Sequence, residues 1–117
     1  MVTVLVIDAD PAVRLAIKSV LEPADLTVIA VAEAAAALER LAVLRADLII
    51  CDVEASTPDG KPATSAIADI DPSARILMLV PKHRDAAGAL EKPFTPSELL
   101  RKVRRALVAP MPPSSQP

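Results

Sequence analysis

The chain predicts an α/β fold, a doubly wound parallel sheet of five strands in a single domain. Three observations predict it. Short apolar runs alternate with segments of helical pattern, the order that builds a parallel sheet with helices on both faces. The strand candidates are apolar at consecutive positions, as strands buried on both faces are. A length of 117 residues gives room for one domain with one core.

Each element has a local reason. Residues 2–7 (VTVLVI) are continuous in β-branched and aliphatic side chains and form the first strand. Asp10-Pro11 is an N-cap followed by proline at the first helical position. The first helix continues through AVRLAIKSVLE and stops before Pro23. Residues 26–31 form the second strand, and residues 33–44, rich in alanine and leucine, the second helix. Residues 47–51 form the third strand. Pro58-Asp59-Gly60 marks a turn within residues 56–60. Residues 62–70 make a short helix ended by Asp71-Pro72, and residues 75–80 (RILMLV) the fourth strand. Residues 88–91 form the fifth. Thr95-Pro96-Ser97-Glu98 opens the last helix, which runs to about Val108. Residues 1–108 therefore make the domain. Residues 109–117 (APMPPSSQP) read as a disordered, proline-rich tail or the start of a linker.

One connection breaks the alternation. Only residues 81–87 separate the fourth strand from the fifth. A parallel crossover ordinarily takes about a dozen residues or more, most often as a helix. Seven extended residues reach about 23–25 Å, enough to run back along a strand with nothing left for a helix. The fourth helix of the pattern is expected to be shortened or missing. Part of one sheet face, near Leu77, Leu79 or their neighbours, is then expected to lie bare, unless the KHRDAA segment folds back over it.

Composition narrows the function classes. Apolar residues make up 52% of the chain, and Phe94 is the only aromatic. Net charge is −2, which suggests neither a nucleic-acid nor a membrane partner. The charge is uneven: residues 1–60 hold ten acids and four bases, −6, and residues 61–117 five acids and nine bases, +4. A single cysteine, Cys51, cannot close an internal disulfide, so a reducing cytoplasm is the expected compartment. No apolar run approaches the ~20 residues of a membrane span, and residues 2–7 are too short for a signal peptide.

Asp8, Asp52 and Lys92 carry the chemistry. Each follows a strand candidate, and strand ends converge on one edge of a parallel sheet, where ligands bind. Two carboxylates and an ammonium at that edge suit a phosphoryl group and a cation. The segments VLVIDADPAVR, ADLIICDV with Asp59-Gly60 beyond it, and Lys92-Pro93-Phe94 resemble the receiver domain of two-component response regulators. The resemblance runs from Val2 to about Leu107. It implies the flavodoxin-like strand order 2-1-3-4-5, a cis Lys92-Pro93 bond, and Asp52 as acceptor of a phosphoryl group from a histidine kinase. It further implies Mg²⁺ held at Asp8 and Asp52, and Lys92 directed at the phosphoryl group.

Four positions depart from that pattern. Ala9 stands where the family has a second metal carboxylate. Val80 replaces the hydroxyl that bonds a phosphoryl oxygen. Pro81 lacks the backbone N–H of a second phosphoryl donor. Ala89 replaces the aromatic switch residue. Glu54, two residues past Asp52, is the candidate replacement ligand, so Mg²⁺ is expected to bind weakly. Asp10 is better read as the helix cap than as a ligand. Cys51 reads as a buried small hydrophobe, His83 as an exposed loop residue, and RKVRR at residues 101–105 as a solvated helix face.

The expectation is a receiver-like module with a degenerate phosphorylation site, not an enzyme, acting mainly through protein contacts. Its partners would be a histidine kinase or another signalling protein and a second copy of itself. The alternative is a conventional phosphoacceptor. Asp8-Ala9-Asp10 also resembles the paired aspartates of haloacid-dehalogenase-type phosphatases, but the strand-end hydroxyl and late acidic pair of that family are missing.

Overall fold

The computed structural model describes residues 1–84 and 86–109. Of the expected tail, Ala109 is described, whereas residues 110–117 lie outside the described residues, as does Asp85 of the KHRDAA segment. The strands are β1 (Thr3–Ile7), β2 (Thr27–Val31), β3 (Leu48–Asp52), β4 (Ile76–Val80) and β5 (Leu90–Glu91). The helices are α1 (Pro11–Leu21), α2 (Ala34–Leu41), α3 (Ala63–Ile70) and α4 (Pro96–Val108). All strand pairs are parallel, in the order β2-β1-β3-β4-β5.

The period of two along each strand divides the core into two layers. Val4, Val6, Leu48, Ile50, Leu77, Leu79 and Leu90 face Ile17 and Leu21 of α1 and Leu99 and Val103 of α4. Leu5, Ile7, Ile49 and Cys51 face Ala34 and Ala37 of α2 and Ala63 and Ile67 of α3. Alanines on α2 and α3 let those short helices lie close to the sheet. Larger residues fill the opposite layer.

Caps fix the helix ends. Asp10 accepts the Ala12 N–H at 2.9 Å, the N-cap expected of Asp10-Pro11. Thr95 and Glu98 form a reciprocal capping box at α4, with bonds of 3.0 and 3.1 Å. At the other end of α4, Arg75 donates to the carbonyls of Leu107 at 2.7 Å and Ala109 at 3.0 Å. That guanidinium satisfies terminal carbonyls that the helix cannot.

Two boundaries differ from expectation by more than one residue. α2 ends at Leu41 rather than residue 44, because Val43 and Leu44 both turn back to bond the Arg40 carbonyl. β5 starts at Leu90 rather than residue 88, because Gly88 has φ +77° and Ala89 donates to Ala86 in a turn. No helix occurs among the described residues between β4 and β5. The patch expected near Leu77, Leu79 or their neighbours falls on the neighbours. Leu77 and Leu79 are buried against the α1–α4 layer, so strand parity places Ile76, Met78 and Val80 on the side with the missing helix. Ile76 and Met78 are half-buried, whereas Val80 is 2% exposed. A cleft of about 260 Å³ lined by Val80, His83, Arg84, Ala86, Ala89 and Glu91 lies where the shortened connection leaves β4.

Candidate functional site

The parallel order carries Asp8, Asp52 and Lys92 to one edge. Asp8 follows β1, its N–H bonded to the Val31 carbonyl at 3.2 Å. Asp52 is the last residue of β3 and pairs with Leu79 of β4. Lys92 follows β5, and its N–H donates to the Val80 carbonyl at 2.8 Å. The Lys92–Pro93 bond is cis.

The three side chains meet. Lys92 Nζ lies 2.7 Å from Asp8 Oδ2 and 3.2 Å from Asp52 Oδ2. The other oxygens accept backbone N–H groups: Asp8 Oδ1 from Asp10 at 2.9 Å, Asp52 Oδ1 from Glu54 at 3.0 Å. Asp8 is 1% exposed. Its Oδ2 has the Lys92 ammonium as its partner, in an ion pair. Burial alone would lower the Lys92 pKa, but the two carboxylates outweigh it and hold the ammonium above its ordinary value. Behind the site the Cys51 thiol is pushed up to about 12, first by burial, then by Asp52 and Asp8. It is a buried, protonated core group.

The other singled-out positions surround this triad. Ala9 is exposed and offers only its carbonyl, which accepts the Arg14 guanidinium at 3.1 Å. Val80 presents a buried hydrocarbon side chain at the end of β4, and Pro81 follows it without an N–H. Ala89 is half-buried. Glu54 turns outward, its carboxylate 3.7 Å from Arg84. Asp59 and Gly60 form the turn, with Gly60 at φ +90° and its N–H on the Thr57 carbonyl at 2.9 Å. The Thr57 hydroxyl bonds Asp59 and, as the largest cause, lowers its pKa. His83 is exposed.

Sequence reasoning missed Arg14 and Arg84. Arg14 also donates to the Asp8 carbonyl at 2.8 Å and so braces the β1–α1 loop. Its place one helical turn beyond the Asp10 cap was a signal that could have found it. Arg84 had no such signal, because its partner Glu54 lies thirty residues away.

Asp8 and Asp52 supply carboxylate oxygens of the kind Mg²⁺ prefers. A divalent ion at this edge would share Asp8 Oδ2 with the Lys92 ammonium that already pairs with it. Ala9 withholds a third carboxylate, and no three His, Cys, Asp or Glu side chains converge among the described residues. The donor set fits a divalent ion that would keep most of its own water.

The family model of the response regulator receiver domain matches residues 4–104. The chain belongs to the response regulator receiver family. Solved receivers agree with the fold. A response regulator from Chloroflexus aurantiacus J-10-fl is 27% identical, with a TM-score of 0.80 over 92% of this chain and 98% of that one. The chemotaxis response regulator CheY4 of Vibrio cholerae is 27% identical, with a TM-score of 0.76 over 92% and 99%. NtrX from Brucella abortus, at 20% identity, matches in fold alone, with a TM-score of 0.80 over 92% of this chain and 26% of NtrX. No curated protein matches the chain in sequence. This receiver is a two-component signalling domain. Among its described residues, no helix is long and apolar enough to cross a membrane.

Proposed function

We propose that this receiver acts mainly through protein–protein contacts, with phosphoryl acceptance at Asp52 weak or absent, and not as an enzyme. The observation that carries the reading is the end of β4. Val80 and Pro81 stand at the end of β4 where receivers carry a side-chain hydroxyl and a backbone N–H, and the Val80 side chain and the Pro81 nitrogen have no proton to donate. An acyl phosphate needs fixed donors and a cation to offset the charge on the transferring group. Removing one preorganised donor costs on the order of 3 kcal/mol of transition-state stabilisation, so two losses slow transfer by about 10⁴-fold.

The retained Lys92 supports the same reading. Bridging Asp8 and Asp52, it works as a structural ion pair whether or not phosphoryl transfer occurs. Mg²⁺, where bound, would be held by Asp8 and Asp52 and would offset negative charge at the acceptor. With Ala9 in place of a carboxylate, its affinity falls to the millimolar range or weaker. The partners proposed are a histidine kinase or another signalling protein, and a second copy of this chain in a cytoplasmic setting. The opposite charge of the two halves, −6 and +4, favours self-association, as does the half-covered strip at Ile76 and Met78.

The alternative, a conventional acceptor, is favoured by the 3.2 Å contact between Lys92 and Asp52, which keeps the acceptor and its lysine together. Incubation with Mg²⁺ and a small phosphodonor, followed by intact mass measurement, separates the two. The proposal expects no stable phosphoryl adduct under conditions that label ordinary receivers. Rapid stoichiometric labelling that disappears in Asp52→Asn would establish the alternative.

A further inference from the structure

We infer that Glu54 and Arg84 form a latch on the cation site: Glu54 is a replacement carboxylate ligand, and Arg84 in the shortened β4–β5 connection holds it away. The inference rests on the reading of this edge as a receiver site that has lost a metal carboxylate.

The Glu54 N–H is bonded to Asp52 Oδ1 at 3.0 Å, so its backbone is tied to the acceptor carboxylate itself. Its side chain, 72% exposed, pairs instead with Arg84 Nη1 at 3.7 Å. A cleft of about 220 Å³ joins Glu54, Asp52 and the vacant corner at Ala9. Glu54 therefore borders the space from which a carboxylate is missing, with its charge turned outward.

Arg84 is held from the other side. Its N–H closes a turn on the Pro81 carbonyl at 3.1 Å. The preceding His83 has φ +68° and donates its N–H to Glu91 Oε1 at 3.1 Å. That bond ties the connection to β5. The segment that replaces a helix thus sets a guanidinium on the rim of the phosphorylation edge. An exposed ion pair is weak and readily exchanged. A divalent ion offering Glu54 a carboxylate site beside Asp8 and Asp52 can compete for it, because Mg²⁺ takes oxygen ligands.

The test is a Mg²⁺ titration of the full chain followed by amide NMR shifts, in the unaltered chain, Arg84→Ala, Glu54→Gln and the double variant. Arg84→Ala is expected to tighten Mg²⁺ binding about two- to five-fold, the strength of an exposed ion pair. Glu54→Gln is expected to weaken it and to abolish the gain from Arg84→Ala. An equal gain in the Glu54→Gln background would mean that Arg84 acts only as a nearby positive charge, and would overturn the latch. So would unchanged affinity in Arg84→Ala, or no saturable binding in any variant. The phosphodonor experiment reads the weakened acceptor separately, so the two ideas can fail independently.

Discussion

Asp8, Asp52 and Lys92 form a charge cluster in which each carboxylate oxygen meets either a backbone N–H or the ammonium. Removing the ammonium would leave the buried Asp8 uncompensated. Breaking a buried pair costs about 3–5 kcal/mol. Lys92 is 26% exposed, so Lys92→Met should cost somewhat less, about 2–3 kcal/mol, measured as a lower urea midpoint. An unchanged midpoint would mean that solvent already screens the cluster. The same residues set the alkaline limit of stability. The Cys51 thiol ionises near 9.0 in the unfolded chain and near about 12 in the folded one. Its contribution is full below pH 9.0 and is lost as pH rises through that window. Lys92 acts on the same side, its raised pKa giving a contribution that is full below 10.5 and lost above it. Stability should therefore hold from neutrality to pH 9.0 and then fall. In Cys51→Ala the fall should begin nearer 10.5, as followed by circular dichroism against pH. An onset unmoved in Cys51→Ala would remove the thiol from the explanation.

At the scale of elements, α4 rests on its capping box. Thr95→Ala removes the acceptor for the Glu98 N–H and should cost about 1 kcal/mol, read from the same urea midpoint. This cap was legible in Thr95-Pro96-Ser97-Glu98 because capping depends on residues three apart. The five strands were legible because strands buried on both faces are runs of apolar residues, and runs survive small errors of boundary; their order followed from the resemblance to receivers, not from the runs. What depends on distant partners was not legible. The sequence could not say which parity of β4 faces α4, so the bare patch was expected only near Leu77, Leu79 or their neighbours, and it is the neighbours Ile76 and Met78 that are half-covered. It also could not foresee that Gly88 would take a positive φ and shorten β5 to Leu90–Glu91. In the site, Asp8, Asp52 and Lys92 were found because strand ends converge. The Arg84–Glu54 pair was hidden because it depends on how a loop without a helix turns.

For the whole molecule, the missing helix and the split charge point to association. Static light scattering at tens of micromolar is expected to give a dimer mass, and Met78→Glu, placed on the half-covered face, is expected to return a folded monomer. A strictly monomeric unaltered chain would contradict this. The larger question is whether the molecule signals by carrying a phosphoryl group or by its contacts alone. Repair of the site answers it most directly. A variant with Ala9→Asp, Val80→Thr and Pro81→Ala restores the carboxylate, the hydroxyl and the N–H together. Its rate of labelling by a small phosphodonor with Mg²⁺, compared with the unaltered chain by intact mass, is expected to rise by about 10⁴-fold and to vanish when Asp52→Asn is added. Equal rapid labelling of the unaltered and repaired chains would contradict the proposal that the lost groups limit Asp52.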